Sequence, residues 1–233
     1  MSKKTKIQNK SNSSMKFAVI LTLFVVAAFA ALVVYSNNKP DTETATKFEK
    51  QPSLEGQPVL GNADAPVTVI EFGDFKCPSC KVWGDTVFQQ LVTDYLDKGD
   101  VKFSFINVLF HGEESELASL AAESIYKQNP ERYWEFHKQL FAAQPETEQD
   151  TVWVTEDKMN EIAGATPDID VAKFKEDIKS QSVSDEVKKD TDIVEEYNVQ
   201  FTPSIMVNGT MLEDPFDYEK IKSLIDKALA GKQ

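Results

Sequence analysis

Cysteine is nearly absent from this chain: its 233 residues contain only Cys77 and Cys80. That scarcity excludes a disulfide-stapled scaffold, because a bridge between residues so close in sequence closes almost no loop and constrains little of the unfolded chain. It excludes lipid anchoring as well, since no cysteine stands near the amino-terminal apolar segment. A zinc site would need two further ligands. The only histidines, His111 and His137, stand 26 positions apart, in place of the roughly three-to-five spacing of a local finger. Positive charge is scarce too, with 25 basic against 38 acidic residues and a net charge of −13. Six lysines and no acid fall in positions 1–40, so the remainder holds 19 basic and 38 acidic groups, a net −19. So negative a body repels phosphate backbones, which excludes a general nucleic-acid binder. No internal repeat is visible, and 41% apolar with 27% charged residues is the make-up of a folded chain, neither disordered nor fibrous.

What the chain does have is one long apolar run. Phe17 to Tyr35 is 19 residues with only Thr22 and Tyr35 polar, about 28 Å as a helix, enough to cross a bilayer. Lys3, Lys4, Lys6, Lys10 and Lys16 precede it without an acid, and acids begin at Asp41. This lysine bias keeps the amino terminus in the cytoplasm and places everything after Tyr35 outside. The competing reading is a cleaved signal peptide, suggested by Ala28-Phe29-Ala30. Cleavage there would fall inside the apolar run, so the run is read as an uncleaved anchor. Residues 36–56 have the polar composition of a solvated tether.

Beyond the tether, Val67 to Phe72 is a β-branched run of strand length, entered through Asp64-Ala65-Pro66 and left through Gly73-Asp74. Pro78 to about Leu96 has helical spacing, and Val101 to Leu109 makes a second strand; together they predict a βαβ unit with parallel strands. Helical periodicity alone follows, with one helix stopping before Pro130, another over Tyr133–Phe141, and shorter ones around Met159, Phe174 and Val187. Strand pattern then returns: Ser204–Val207 and Thr210–Leu212 flank Asn208-Gly209, a strong hairpin signal because both residues tolerate the positive φ of a type I′ turn. A last helix carries Ile221, Leu224, Ile225 and Ala228 and ends near Gly231.

With staple and zinc set aside, the cysteine pair reads as a redox reagent. Cys77 falls where a strand ends and a helix begins, so free amide N–H groups and the positive end of the helix dipole face its sulfur. That stabilises a thiolate, making Cys77 the exposed nucleophile or leaving group and Cys80, one turn deeper, its partner. Pro78 suits the first helical turn, where its missing N–H has no helical partner to lose.

Ile70-Glu71-Phe72, Cys77-Pro78-Ser79-Cys80 and Phe201-Thr202-Pro203, followed by a hairpin and a terminal helix, resemble the thioredoxin fold. The helical block before Thr202 resembles the DsbA-like branch of thiol–disulfide oxidoreductases, and with the anchor the whole of residues 1–233 is similar to its membrane-anchored Gram-positive members. The resemblance implies an α/β thioredoxin fold with an inserted all-helical subdomain, preceded by one transmembrane helix. Its divisions are a cytoplasmic tail over 1–16, the anchor over 17–35, the tether over 36–56, a core over 57–112 and 199–233, and a helical insertion over 113–198. It implies a dithiol oxidase that bridges unfolded or reduced exported proteins and is re-oxidised by a DsbB-like, quinone-linked membrane partner, with no cofactor for the redox step. Glu71 matches the acid buried beneath the dithiol, with the physical reading of a proton acceptor for Cys80. Thr202 and Pro203 match the cis-proline loop that binds extended substrate. Ser79 stands where the prototype has histidine, removing one source of thiolate stabilisation.

The same resemblance implies a structural calcium ion held by Gln57, Glu123 and Asp190. Glu123 lies three residues after Leu120 and Asp190 three after Val187, so both border buried helix faces, and oxygen ligands suit calcium. The bland reading of these residues is a set of solvated helix carboxylates. Phe75, Trp83 and Phe201 either line an apolar patch for unfolded chains or belong to the core. His137 reads as a packed core histidine, and His111 has no assigned role. A monomer is expected. The alternatives are an extracytoplasmic reductase or isomerase, and a non-catalytic, calcium-stabilised binding module.

Overall fold

The computed structural model describes residues 45–147 and 151–231, together with Leu21. The expected tail, the anchor (Leu21 apart) and the tether as far as residue 44 lie outside the described residues. Among the described residues no helix is long and apolar enough to cross a membrane.

The sheet is built outward from two buried strands. Strand β3 (Val67–Gly73) is buried at every residue, and β4 (Val101–Asn107) runs parallel to it, from Val67 opposite Val101 to Gly73 opposite Asn107. β4 is buried at every residue but Lys102, so both strands are covered on both faces, as a parallel pair requires. On the other side β5 (Ser204–Val207) pairs antiparallel with β3, and β6 (Thr210–Leu212) pairs antiparallel with β5. The joining turn has positive φ at both Asn208 (45°) and Gly209 (82°), as the Asn-Gly pair predicts. Its Asn208 side chain accepts from Thr68 N at 2.8 Å, tying the hairpin to β3.

Two edge strands escape the sequence pattern. β2 (Val59–Gly61) pairs with β4, and β1 (Ala45–Lys47) pairs with β6, so the sheet order is β1-β6-β5-β3-β4-β2. β1 falls inside the expected tether, which therefore does not extend to residue 56. Phe48 packs against Tyr197 with ring centroids 5.0 Å apart and planes tilted by 53°, and Phe48 and Leu54 pack on the smaller core. Three-residue strands carry too few side chains for a period of two to show.

The helices cover both faces. Helix α1 (Pro78–Asp85) is separated from α2 (Val87–Leu91) by Thr86, at φ −120° and ψ −77°, and a π-helical turn over Val92–Leu96 follows; the sequence predicts one continuous helix here. Next come α3 (Glu113–Gln128), α4 (Tyr133–Ala142), α5 (Glu156–Ala165), α6 (Val171–Asp177), α7 (Gln181–Glu196) and, after the hairpin, α8 (Tyr218–Ala230). Thr155, Asp170 and Asp217 cap α5, α6 and α8 through side-chain oxygens that accept backbone N–H groups.

Alternation along β3 divides the core. Val67 and Val69 face the larger cluster beneath α1, α3, α4 and α8, whereas Ile70 and Phe72 face the smaller one with Val194, Tyr197 and Met206. Glu71 shares the parity of Val67 and Val69 and is thereby carried into the larger core. Of the three aromatics left open between patch and core, Phe75 and Trp83 are core: both are fully buried, and Trp83 Nε1 donates to Pro215 O at 2.9 Å. Phe201 remains 45% exposed.

Candidate active site

The dithiol sits where β3 hands the chain to α1. Cys77 is the N-cap of α1, with φ −71° and ψ 119° and no side-chain cap, and Pro78 follows at the first helical position. Both cysteines are free thiols and both are buried, Cys80 at 1% and Cys77 at 7% exposure, so Cys77 is the less buried of the two but not the exposed group expected from the sequence. The Thr202–Pro203 peptide is cis, and the Cys77 thiol donates to Thr202 O at 3.4 Å.

The two sulfurs are driven apart in acidity. A hydrogen bond from Cys80 is the main influence that lowers Cys77, helped by the Thr202 side chain and by the N–H groups of Cys80 and Ser79; against the opposing effect of burial, Cys77 comes down to about 5. Cys80 is pushed well above an ordinary thiol, first by burial and then by its bond to Cys77 and the nearby charges of Glu71 and Cys77. Glu71 is raised well above an ordinary carboxyl, chiefly by burial and further by Cys77, and its Oε1 has no hydrogen-bond partner.

Sequence reasoning missed the groups that pin this loop. Buried Asp74 accepts from Lys76 N (2.8 Å), Phe110 N (3.1 Å), His111 N (3.3 Å) and Ser115 Oγ (2.8 Å), pairs with His111 Nδ1 at 2.7 Å, and offers its own N–H to Cys80 Sγ at 3.4 Å. His111 thus acquires a structural partner. Buried Gln144 donates Nε2 to Phe75 O (2.7 Å) and Cys77 O (3.2 Å), and Lys76 Nζ pairs with Glu114 at 2.8 Å. Burial works to raise Glu114, but Lys76 and the N–H groups of Trp153 and Val154 overcome it and leave Glu114 below the usual carboxylate value. Apart from the local contacts of Asp74 with Lys76 and Cys80, these partners lie 36 to 69 residues from the residues they hold, beyond any local pattern.

Away from the dithiol, the structure brings Gln57, Glu123 and Asp190 together and adds Asn107. Gln57 Nε2 donates to Asp190 Oδ1 (2.6 Å), and Asn107 Nδ2 donates to Glu123 Oε1 (2.9 Å) and Asp190 Oδ2 (2.7 Å). Glu123 and Asp190 are raised, each chiefly by burial and Glu123 also by the charge of Asp190. The amide oxygens Gln57 Oε1 and Asn107 Oδ1 are buried without partners. Two crowded carboxylates and two orphaned amide oxygens are a donor set for a hard cation, and a 660 Å3 cavity lined by Gln57, Glu123 and Glu186 adjoins them. No group of three or more His, Cys, Asp or Glu suited to a metal occurs among the described residues, so any cation here would rely on the amides.

Residues 53–227 match the Thioredoxin family. The chain belongs to the thioredoxin family. Within it, the chain is 48% identical over 182 residues to disulfide bond formation protein D of Bacillus subtilis, covering 78% of this chain and 81% of that one. The crystal structure of oxidised BdbD from Bacillus subtilis superposes with a TM-score of 0.74 at 46% identity, covering 80% of this chain and 98% of that one. The thiol–disulfide exchange protein α-DsbA2 of Wolbachia pipientis, 21% identical with a TM-score of 0.62 over 73% of this chain and 86% of its own, shares the fold. This thioredoxin-family chain is a protein disulfide oxidoreductase with DsbA-like structural neighbours.

Proposed function

We propose that the chain is an extracytoplasmic thiol–disulfide oxidase, held at the cell membrane by residues 17–35, that introduces disulfides into exported proteins through Cys77 and Cys80. The observation that carries this reading is the opposite displacement of the two thiols: a Cys77 thiolate stabilised down to about 5 favours the reduced enzyme and so makes its disulfide more oxidising than that of a pair with an ordinary thiol. A substrate thiolate attacks Cys77 Sγ of the disulfide, and Cys80 departs with the bonding electrons. Glu71, buried beside Cys80 and raised, returns a proton to it. A second substrate thiolate then attacks the substrate sulfur of the mixed disulfide and expels the stable Cys77 thiolate. The substrate loses two electrons and the enzyme pair gains them, so a re-oxidant is required, which we assign to a DsbB-like, quinone-linked membrane partner.

Thr202 O accepts from the Cys77 thiol at 3.4 Å, and the cis Thr202–Pro203 peptide fits an edge on which an extended substrate segment docks, while exposed Phe110 and Phe201 supply apolar surface on loops that contact the same site. A calcium ion would be held by Gln57, Asn107, Glu123 and Asp190, where it would neutralise two buried carboxylates and fasten α3 and α7 to β4. The test is oxidation of a reduced, unfolded protein by the purified enzyme. Activity that disappears in Cys77→Ala supports the proposal; no oxidation by the unaltered protein, or activity retained in that variant, contradicts it.

A further inference from the structure

The peptide that leads from β3 into the dithiol loop is fixed at both ends of its dipole. Gly73 O accepts from Val108 N at 2.8 Å, and in a trans peptide the N–H of Asp74 then points the opposite way, to Cys80 Sγ at 3.4 Å. Only glycine fits at position 73, where an added Cβ would stand 2.2 Å from the Phe105 ring. Asp74 O in turn accepts from Cys77 N at 3.0 Å, so the backbone of one residue meets both members of the dithiol. The Asp74 carboxylate, itself fully buried, is gripped by elements outside this loop. Ser115 Oγ, buried in the first turn of α3, donates to it at 2.8 Å, and His111 pairs with Oδ2 through Nδ1 at 2.7 Å. A carboxylate only accepts, so Nδ1 carries the hydrogen there. The reaction described above makes no use of this cluster. Yet an N–H dipole held in place before charge develops needs no reorganisation when it does. Cys80 is too weak an acid to be charged at neutral pH, so it becomes anionic only as it attacks or departs.

We propose that Asp74, gripped by His111 and Ser115, is a positioning residue for thiol–disulfide exchange: it aims its own N–H at Cys80 Sγ, where that N–H stabilises the negative charge the sulfur carries in transit. The inference rests on the reading of Cys77 and Cys80 as the reacting pair and adds the group that serves Cys80. When reduced enzyme meets glutathione disulfide, the Cys77 thiolate attacks one sulfur and the first glutathione leaves as a thiolate. Cys80 then gives its proton to Glu71 and forms the S–S bond to Cys77. The Cys77–glutathione bond breaks, and its electron pair leaves with the second glutathione as a thiolate. Glutathione disulfide gains two electrons and the dithiol loses them. Charge sits on Cys80 only during the second step, and both end states hold it neutral. The N–H therefore changes the speed of that step in either direction and leaves the equilibrium alone.

Rapid quench and mass spectrometry of the reaction with glutathione disulfide separate mixed-disulfide formation from resolution by Cys80. Ser115→Ala and His111→Ala each withdraw one side-chain donor from Asp74 and leave Glu71 and both cysteines in place. The backbone donors Lys76 N, Phe110 N and His111 N remain on the carboxylate. Each variant is expected to slow resolution about threefold, and the double variant on the order of tenfold. That is less than the roughly hundredfold or more for deleting an oxyanion donor, because the N–H is misdirected and not lost. Mixed-disulfide formation and the equilibrium constant against glutathione should both stay within about twofold of the unaltered protein. His111→Asn, which sets an amide N–H near the position of Nδ1, should recover at least half of the rate lost in His111→Ala. Unchanged resolution in the double variant overturns the inference. Equal slowing of both steps, a displaced equilibrium constant or no recovery in His111→Asn overturns it too, since a loop that is merely loosened gives those results. Should the double variant fold poorly, the single variants decide by the same criteria. Failure of the dithiol reading itself would appear elsewhere, as no reaction of the unaltered protein with glutathione disulfide.

Discussion

Lowering the pH from 7 to 5 should erase most of the stability that the Cys77 thiolate lends to the reduced protein. Cys77 titrates near 5 in the fold and near the ordinary thiol value of about 8.5 in an unfolded chain. A depressed pKa contributes stability that is complete above the unfolded value and is lost as pH falls through the folded one. At pH 7 the ratio of protonation polynomials is about 100, or about 2.7 kcal/mol, and at pH 5 only about 0.4 kcal/mol remains. The sulfur is partly open to water, and the share of the Glu71 rise caused by Cys77 exists only in the reduced form, so a net change of about 1–2 kcal/mol is a fair expectation. The burial penalty on Glu71 is common to both redox forms and cancels when they are compared. For a fold of this size that change corresponds to roughly 2–8 °C in Tm. Thermal melts of reduced and oxidised protein at pH 5 and pH 7 should therefore show the difference Tm(reduced) − Tm(oxidised) growing by that amount toward pH 7. A difference that is flat, or that shrinks as pH rises, would refute the stabilised thiolate.

Glu71→Gln removes a carboxyl whose raised pKa destabilises the fold increasingly as pH rises above the unfolded value; Tm at pH 7 should rise in melts of the oxidised form, while resolution by Cys80 slows by about a hundredfold or more in the glutathione assay. Raised Glu123 and Asp190 act in the same sense, so in chelator Tm should fall as pH climbs from about 5 to 8. Added calcium at about 100 times Kd should restore about 2.7 kcal/mol, with a larger gain at pH 8 than at pH 5, and no shift on chelation would remove the cation from the proposal. Trp83→Ala should cost about 3–5 kcal/mol in denaturant unfolding, because it empties a fully buried site beside Phe88 and Phe103 and orphans Pro215 O.

The centre of the fold was legible because its signals are local and mutually consistent. The β-branched run before Cys77 and the second strand each fix an element, the Asn208-Gly209 turn fixes a hairpin, and together they account for four strands of the sheet. Glu71 came from the family resemblance, and alternation from Val67 explains why it faces the larger core. The edge strands did not show because three residues in polar surroundings hold no period, and β1 gains its place only by pairing with β6. Asp74, Gln144 and Asn107 escaped for another reason: each works through partners far along the chain, with 83 residues separating Asn107 from Asp190. An asparagine within the otherwise apolar run from Phe105 to Phe110 was the one available hint. The break at Thr86 is marked only weakly in the sequence, by Gly84 two residues before it and by β-branched Thr86 and Val87.

The most direct test is the reduction potential of the Cys77/Cys80 pair at pH 7, measured by equilibration against glutathione. A thioredoxin-like thiol near 7 gains about 0.4 kcal/mol at that pH, so a Cys77 near 5 adds about 2.3 kcal/mol to the reduced form, equivalent to about 50 mV above thioredoxin's −270 mV or so. A value of about −220 mV or more positive is what an oxidase built on this thiolate requires. A value at or below about −270 mV would place the pair among reductants and contradict the assignment.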